Sequence, residues 1–279
     1  MSEVVALQGY MGDGAEGSDE RIEWLAETIL RNRFLPAPPA ENVFVGDGDF
    51  RLIGTEFLRH FVRLGGLRPE HRVLDIGSGI GRMAVPLTQY LDPEVARYEG
   101  IDPVREGVDW CSETISPVYP NFRFRHLDIA HDVYNPAGRI KGEELRLPFD
   151  DAAFDFILMV SVATHLPAVE IGSYTREIAR VLAPGGRLFL SAFVMDESAR
   201  TQTEGRDARL GFTPAGEGPE WYANPEAPLG AVAFEDGFID DVLQRAGLAI
   251  RRKSLGHWRG RQAAHYQDVF VAETGGEEA

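Results

Sequence analysis

Apolar positions recur along this chain in two rhythms. Short runs such as Val73-Leu74-Asp75-Ile76, Tyr98-Glu99-Gly100-Ile101, Phe122 to Leu127, Phe154 to Val160 and Arg187 to Phe193 are dense in branched and aromatic residues. Between them the spacing switches to every third or fourth residue, as in Ile53, Phe57, Leu58, Phe61 and Val62. Runs of the first kind read as buried strands and spacing of the second kind as amphipathic helices. The pattern predicts strands near 72–76, 97–101, 122–127, 154–160 and 187–193. It predicts helices near 20–33, 52–64, 81–91, 104–116, 168–182 and 235–246, and a closing hairpin over about 248–271. Alternating strands and helices imply a parallel sheet with crossovers.

The junction after the first strand carries the chemistry. Val73-Leu74-Asp75-Ile76 runs into Gly77-Ser78-Gly79-Ile80-Gly81-Arg82. Glycines let the backbone turn sharply and let a ligand approach the main chain. Open α/β sheets bind ligands at the carboxyl ends of their strands, where Asp75 sits. The spacing G-x-G-x-G differs from the G-x-G-x-x-G of dinucleotide enzymes. Asp102 ends the second strand, where an acid can accept hydrogen bonds from both hydroxyls of a ribose. Asp128 ends the third strand and Ser161 follows the fourth. Aspartates at such places also cap helices, and that alternative applies to Asp75, Asp102 and Asp128 alike.

With these motifs in order (VLDIGSGIG, YEGIDP, FRHLDI, LPFDDAAFDFILMVSVATHL, REIARVLAPGGRLFLSAF and the closing strand YQDVFVA), the chain resembles class I S-adenosylmethionine-dependent methyltransferases over about 50–273. The resemblance implies an α/β Rossmann-like fold, with a seven-stranded, mostly parallel sheet in the order 3-2-1-4-5-7-6 and helices on both faces. It implies S-adenosyl-L-methionine as cofactor and S-adenosyl-L-homocysteine as product. The implied cofactor residues are Asp75, Gly77, Gly79 and Gly81 in the first loop, Asp102 for the ribose, and Pro103 and Ile101 against the base. Asp128 and the Ile129 amide serve the adenine edge, and the carbonyl near Val160 the ammonium. Arg82 either orients the cofactor carboxylate or pairs with Asp75, unless it is a surface residue.

For the methyl acceptor, His165 in Ser161-Val162-Ala163-Thr164-His165-Leu166 is the candidate general base, with a structural histidine as the alternative. An imidazole suits that role near neutrality. Trp221, Tyr222, His257 and Trp258 are the candidate substrate contacts, or anchors for the segments that carry them. The Asn/Asp-Pro-Pro-Tyr/Phe segment of amino-group enzymes, the double-glutamate loop of arginine methyltransferases and the acid cluster of magnesium-dependent catechol enzymes are missing. A metal-free small-molecule methyltransferase remains, with O-methylation of a sugar or natural-product hydroxyl foremost. N- or C-methylation, an NAD-dependent oxidoreductase and a non-catalytic cofactor-binding subunit are the alternatives.

The organisation reads as a mobile segment at 1–17, a helix and lead-in at 18–50, and a methyltransferase domain at 51–274. Within that domain, 195–233 is a lid-like insertion rich in Gly, Pro and Thr. The net charge of −16, with lysine only at 141 and 253, argues against a phosphate-binding surface. The group Arg251-Arg252-Lys253, Arg259 and Arg261 reads as solvated surface or hairpin edge. Cys111 is the single cysteine, which excludes an internal disulfide and a cysteine metal cluster. With no signal-peptide pattern and no apolar run of membrane length, the expectation is a cytoplasmic protein, as monomer or homodimer, with no nucleic-acid or membrane partner.

Overall fold

The computed structural model describes residues 15–39, 46, 48–203 and 210–275. In chain order the elements are α1 (Ala15–Arg31), α2 (Phe50–Arg63), β1 (Arg72–Ile76), α3 (Ala84–Leu87), β2 (Arg97–Asp102), α4 (Arg105–Thr114), β3 (Phe122–His126), β4 (Phe154–Met159), α5 (Ala168–Val181) and β5 (Leu182–Ala192). Then come β6 (Val194–Met195), α6 (Glu197–Thr203), β7 (Thr213–Pro214), β8 (Glu220–Tyr222), β9 (Val232–Glu235), α7 (Phe238–Arg245), β10 (Leu248–Ser254) and β11 (Asp268–Thr274). The mobile segment expected at 1–17 lies almost wholly outside the described residues.

The main sheet has seven strands in the order β10-β11-β5-β4-β1-β2-β3. Setting the short strands β6 to β9 aside, this is the expected 3-2-1-4-5-7-6. The five strands β1 to β5 pair in parallel, and β11 joins β5 antiparallel. Alternating residues of each strand feed opposite faces. Val73, Phe156, Leu158 and Phe189 pack with Leu58 and Phe61 of α2 on one face. Leu74, Ile157, Met159 and Leu190 pack with Ile171 and Ile178 of α5 and Leu243 of α7 on the other. Phe61 is fully buried, with its ring edge-on to Phe189 at 5.0 Å. Truncating such a ring to alanine costs about 3–5 kcal/mol.

Two elements depart from the pattern for identifiable reasons. The helix expected over 81–91 is α-helical only at Ala84–Leu87. Pro86 has no N–H with which to close a bond to Arg82. That carbonyl faces Gly54, where any Cβ would lie 2.3 Å from the Arg82 oxygen. A glycine in α2 thus lets the two backbones touch. The fifth strand starts at Leu182, earlier than the expected 187, because Leu182 pairs with Phe154 before the register shifts. Gly185 makes the irregularity at φ +71°.

The segment 195–233 holds regular structure. β6, β9, β8 and β7 form a second, four-stranded sheet. Its core contains Phe193, Met195, Phe212, Ala233 and Trp258. It is anchored to the main sheet by Arg259, whose side chain is fully buried and pairs with Asp268 at 2.6 Å and Asp196 at 2.5 Å. The surface reading of Arg259 is therefore corrected: this arginine is a core residue. No helix among the described residues is long and apolar enough to cross a membrane.

Candidate active site

A cavity of about 780 Å³ opens over the carboxyl ends of β1, β2 and β4. Its floor is the glycine loop after β1. Gly77 and Gly79 line it at φ +77° and +53°, backbone that favours glycine. The loop is held from below, since the amides of Gly77 and Ser78 both donate to the Ile101 carbonyl, at 2.9 and 3.0 Å. The Gly79 amide donates to Asp102 Oδ2 at 2.7 Å. These three N–H groups are engaged inside the protein, so the loop does not offer them to a pyrophosphate. Gly81 stands apart from the cavity; a Cβ there would meet Cys111 Sγ at 2.9 Å, so it serves the packing of α4.

Asp102 lines the cavity at the tip of β2. It also accepts the Val104 amide at 2.8 Å, so it does cap the turn into α4. Two N–H bonds leave lone pairs free on both carboxylate oxygens. Burial pushes its pKa up to about 6, against the lowering effect of those two bonds. Asp75 is fully buried behind the loop and does not reach the cavity. Its Oδ2 accepts the Tyr98 hydroxyl at 2.5 Å, and burial pushes its pKa up to about 7. It is therefore not placed to contact the cofactor as expected, and it makes no pair with Arg82.

Pro103, Ile129 and Val160 line the cavity as expected, together with Ile101 and Leu127. The Ile129 amide is not available to a ligand, because it donates to the Leu127 carbonyl at 2.7 Å. Asp128 does not line the cavity. Its carboxylate accepts Arg139 Nε at 2.5 Å and Asn135 Nδ2 at 3.3 Å, and the Arg139 bond holds its pKa below the usual range.

The far wall carries His165, in a short 3-10 turn after β4. Its Nδ1 lies 3.0 Å from the Leu229 carbonyl. A carbonyl only accepts, so Nδ1 bears the proton and Nε2 the lone pair. The Tyr134 hydroxyl donates to Nε2 at 3.3 Å. Burial lowers the His165 pKa, so the ring is neutral at neutral pH. His131 fixes this pair. Its Nε2 donates to the His165 carbonyl at 2.8 Å, while its Nδ1 accepts the amides of Val133 and Tyr134. Ser161 turns the chain here at φ +58°, with its amide on Ser191 Oγ at 2.8 Å. Such backbone is costly for a non-glycine residue and gathers at functional sites.

Of the four acceptor contacts expected, only His257 lines the cavity. Trp258 is buried, with Nε1 on Asp268 at 3.0 Å. Trp221 Nε1 donates to Glu235 at 3.0 Å, and Tyr222 packs against the main core. These three anchor the second sheet. Sequence reasoning missed Tyr134, His131, His265 and Gln267, all cavity residues. Tyr134 is brought in by the antiparallel bridge between His131 and Asn135, which no periodicity marks.

A methyltransferase-domain family matches residues 74–190, the stretch that runs from within β1, across the glycine loop, to within β5. Residues 74–190 form a class I methyltransferase domain. A sterol 24-C-methyltransferase of Yarrowia lipolytica is 29% identical over 180 residues, 63% of this chain and 42% of that protein. A chloroplastic tocopherol O-methyltransferase of Arabidopsis thaliana is 25% identical over 158 residues, 54% of this chain and 40% of that protein. The chain thus spans less than half the length of these curated relatives. The PH0226 protein of Pyrococcus horikoshii superposes with a TM-score of 0.57 at 13% identity, over 84% of this chain and 94% of that one, which is a likeness of fold.

The cofactor of this domain is S-adenosylmethionine, and the cavity residues of the methyltransferase domain fit it. Asp102 offers a buried acceptor for a diol. Ile101, Pro103, Leu127 and Ile129 offer an apolar slot for a base. Gly77 keeps the main chain bare beside Val162, where a Cβ would come within 2.3 Å of the valine.

Proposed function

We propose that the protein transfers a methyl group from S-adenosylmethionine to a small molecule, foremost to a hydroxyl of a sugar or natural product, with His165 as base. The observation that carries this reading is the fixed tautomer of His165. Its Nδ1–H is spent on Leu229, and a neutral Nε2 lone pair faces the cavity. When bound, the cofactor supplies an electrophilic methyl on a sulfonium. Asp102 and the glycine loop orient it. An acceptor hydroxyl displaces Tyr134 from His165 and gives its proton to Nε2 as its oxygen takes the methyl. His165 would then hold that proton as an imidazolium, its Nδ1–H still on the Leu229 carbonyl. Positioning of this kind supplies much of the rate in a displacement at carbon.

A carbon acceptor is the second reading, favoured by the C-methyltransferase among the relatives. His165 would then take the proton that leaves the methylated carbon. The test is product formation from labelled cofactor across hydroxyl, amine and alkene acceptors. Transfer to a hydroxyl that collapses in His165→Ala supports the first reading. Transfer that persists in that variant removes His165 from the chemistry. Cofactor binding with no transfer to any class would favour a non-catalytic binding subunit.

A further inference from the structure

Gln267 lines the cavity just before β11 begins, and neither the cofactor residues nor the base account for it. Its carboxamide is held at one end only. Oε1 accepts the Ser191 hydroxyl at 2.5 Å and the Ser161 hydroxyl at 3.1 Å. Ser191 is fully buried, and its oxygen already accepts the Ser161 amide at 2.8 Å. Its own hydrogen therefore needs an acceptor, and only the oxygen end of a carboxamide accepts. The two serines thus set which way the group points. Nε2 makes no hydrogen bond among the described residues and is not sealed in the core, so its two donors are open to the cavity.

The backbone behind this side chain is fixed as well. His265 Nδ1 donates to the Gln267 carbonyl at 2.6 Å. A Cβ on Gly256 would lie 2.5 Å from the Gln267 carbonyl carbon, so the two chains meet there without a side chain between them. The next residue, Asp268, is fully buried on Arg259. Donors held in place before a ligand arrives give up little freedom on binding. Ser161, which clamps the carboxamide, also leads from β4 into the turn that carries His165. Gln267 therefore stands on the His165 side of the cavity, whereas Asp102 lies at the tip of β2. We propose that Gln267 determines acceptor specificity: its carboxamide donates to a second oxygen of the methyl acceptor, one that is not methylated; this rests on the small-molecule methyltransferase reading. An acceptor with a bare hydrocarbon frame leaves these N–H groups unpaired, and a site built around a hydrogen bond rejects the analogue that lacks it.

The test uses matched phenols. Meta- and para-hydroxyacetophenone carry a carbonyl oxygen that only accepts; in meta- and para-isopropylphenol a methyl group takes its place. Each is titrated into the full chain saturated with S-adenosylhomocysteine and followed by ligand-detected NMR. The proteins are wild type, Gln267→Glu and Gln267→Leu, with thermal melts to check folding. Gln267→Glu keeps an oxygen for both serines and loses the donors. The affinity ratio of at least one hydroxyacetophenone to its isopropyl partner should fall roughly 3- to 10-fold in Gln267→Glu, the scale of one hydrogen bond. Gln267→Leu should move it the same way, while S-adenosylhomocysteine affinity stays within about twofold, below that scale. A ratio unchanged in both variants overturns the proposal, as does wild type that takes up none of the four phenols. Weaker S-adenosylhomocysteine binding in step with the phenols also overturns it, since Gln267 would then serve the cofactor. Wild type that does not bind S-adenosylhomocysteine overturns the methyltransferase reading as well, which sets that failure apart from the others.

Discussion

Asp102 Oδ2 accepts the amide of Gly79 at 2.7 Å, and this one bond ties the tip of the second strand to the floor of the cavity. The acid is both a brace for the loop and the ribose acceptor proposed here. Asp102→Ala should therefore do two things. Cofactor affinity should fall roughly 10- to 100-fold, and thermal stability should drop by about 1–3 kcal/mol, the cost of orphaned buried donors. Asp102→Asn keeps an acceptor oxygen and should fall between. Binding should also weaken as pH falls through about 6, where the raised pKa protonates the carboxylate. Calorimetry at pH 5 and pH 7.5 checks this; the pH step should vanish in Asp102→Asn.

The burial of Asp75 predicts a pH dependence of folding, which the Tyr98 bond only partly offsets. The folded pKa of Asp75, about 7, stands above its ordinary value of 3.8. The folded state then holds the proton more tightly than the unfolded chain. Its stability contribution is complete below pH 3.8 and is lost as pH rises through about 7. At about 1.4 kcal/mol per pH unit, the loss reaches at most roughly 4 kcal/mol. Asp75→Asn lacks this decline. Denaturant melts of the two proteins should diverge from pH 4 to pH 7, with the variant relatively more stable at the higher pH.

His165→Ala should leave cofactor affinity nearly unchanged and lower transfer to a hydroxyl by roughly 10²–10⁴. In wild type the rate should rise with pH through a pKa below the usual histidine value and level off near neutrality, because burial lowers it. Tyr134→Phe removes a donor that favours the neutral ring. The His165 pKa should then move up, and the rising limb of the profile with it. A Tyr134→Phe profile that coincides with wild type would separate the phenol from the base.

Arg259→Met leaves Asp268 and Asp196 without their cation in the core. The expected cost is about 3–5 kcal/mol. The glycine loop is untouched, so the affinity of the folded fraction for cofactor should stay within about threefold, well short of a lost hydrogen bond. Thermal melts with and without S-adenosylhomocysteine measure both quantities.

The seven-stranded frame was legible because β1, β4, β5 and β11 carry dense buried apolar runs, while β3 alternates apolar and polar residues as a half-buried strand does. The glycine loop and Asp102 were legible because residue type and strand position coincide. Asp75 and Asp128 were harder. Each lies near a strand end as Asp102 does, but Asp75 is level with Gly100, short of the tip, and turns toward Tyr98, while Asp128 lies beyond the end of β3 and turns outward to Arg139. Which way such an acid turns depends on partners far along the chain. The aromatics of 195–233 misled because Trp221 and Tyr222 belong to a second sheet built from strands of two to four residues, too short for a period. Arg259 was hidden for a different reason: its partners Asp196 and Asp268 flank it in space and not in sequence. Residues 204–209 of that segment lie outside the described residues.

The cavity over β1, β2 and β4 is proposed as a cofactor site read by Asp102. Its most direct test is titration of S-adenosylhomocysteine into wild-type protein and Asp102→Ala, both shown to be folded. One site per chain is expected in wild type, with binding weakened roughly 10- to 100-fold in the variant. Equal affinity in the two proteins, or no binding to wild type, would contradict it.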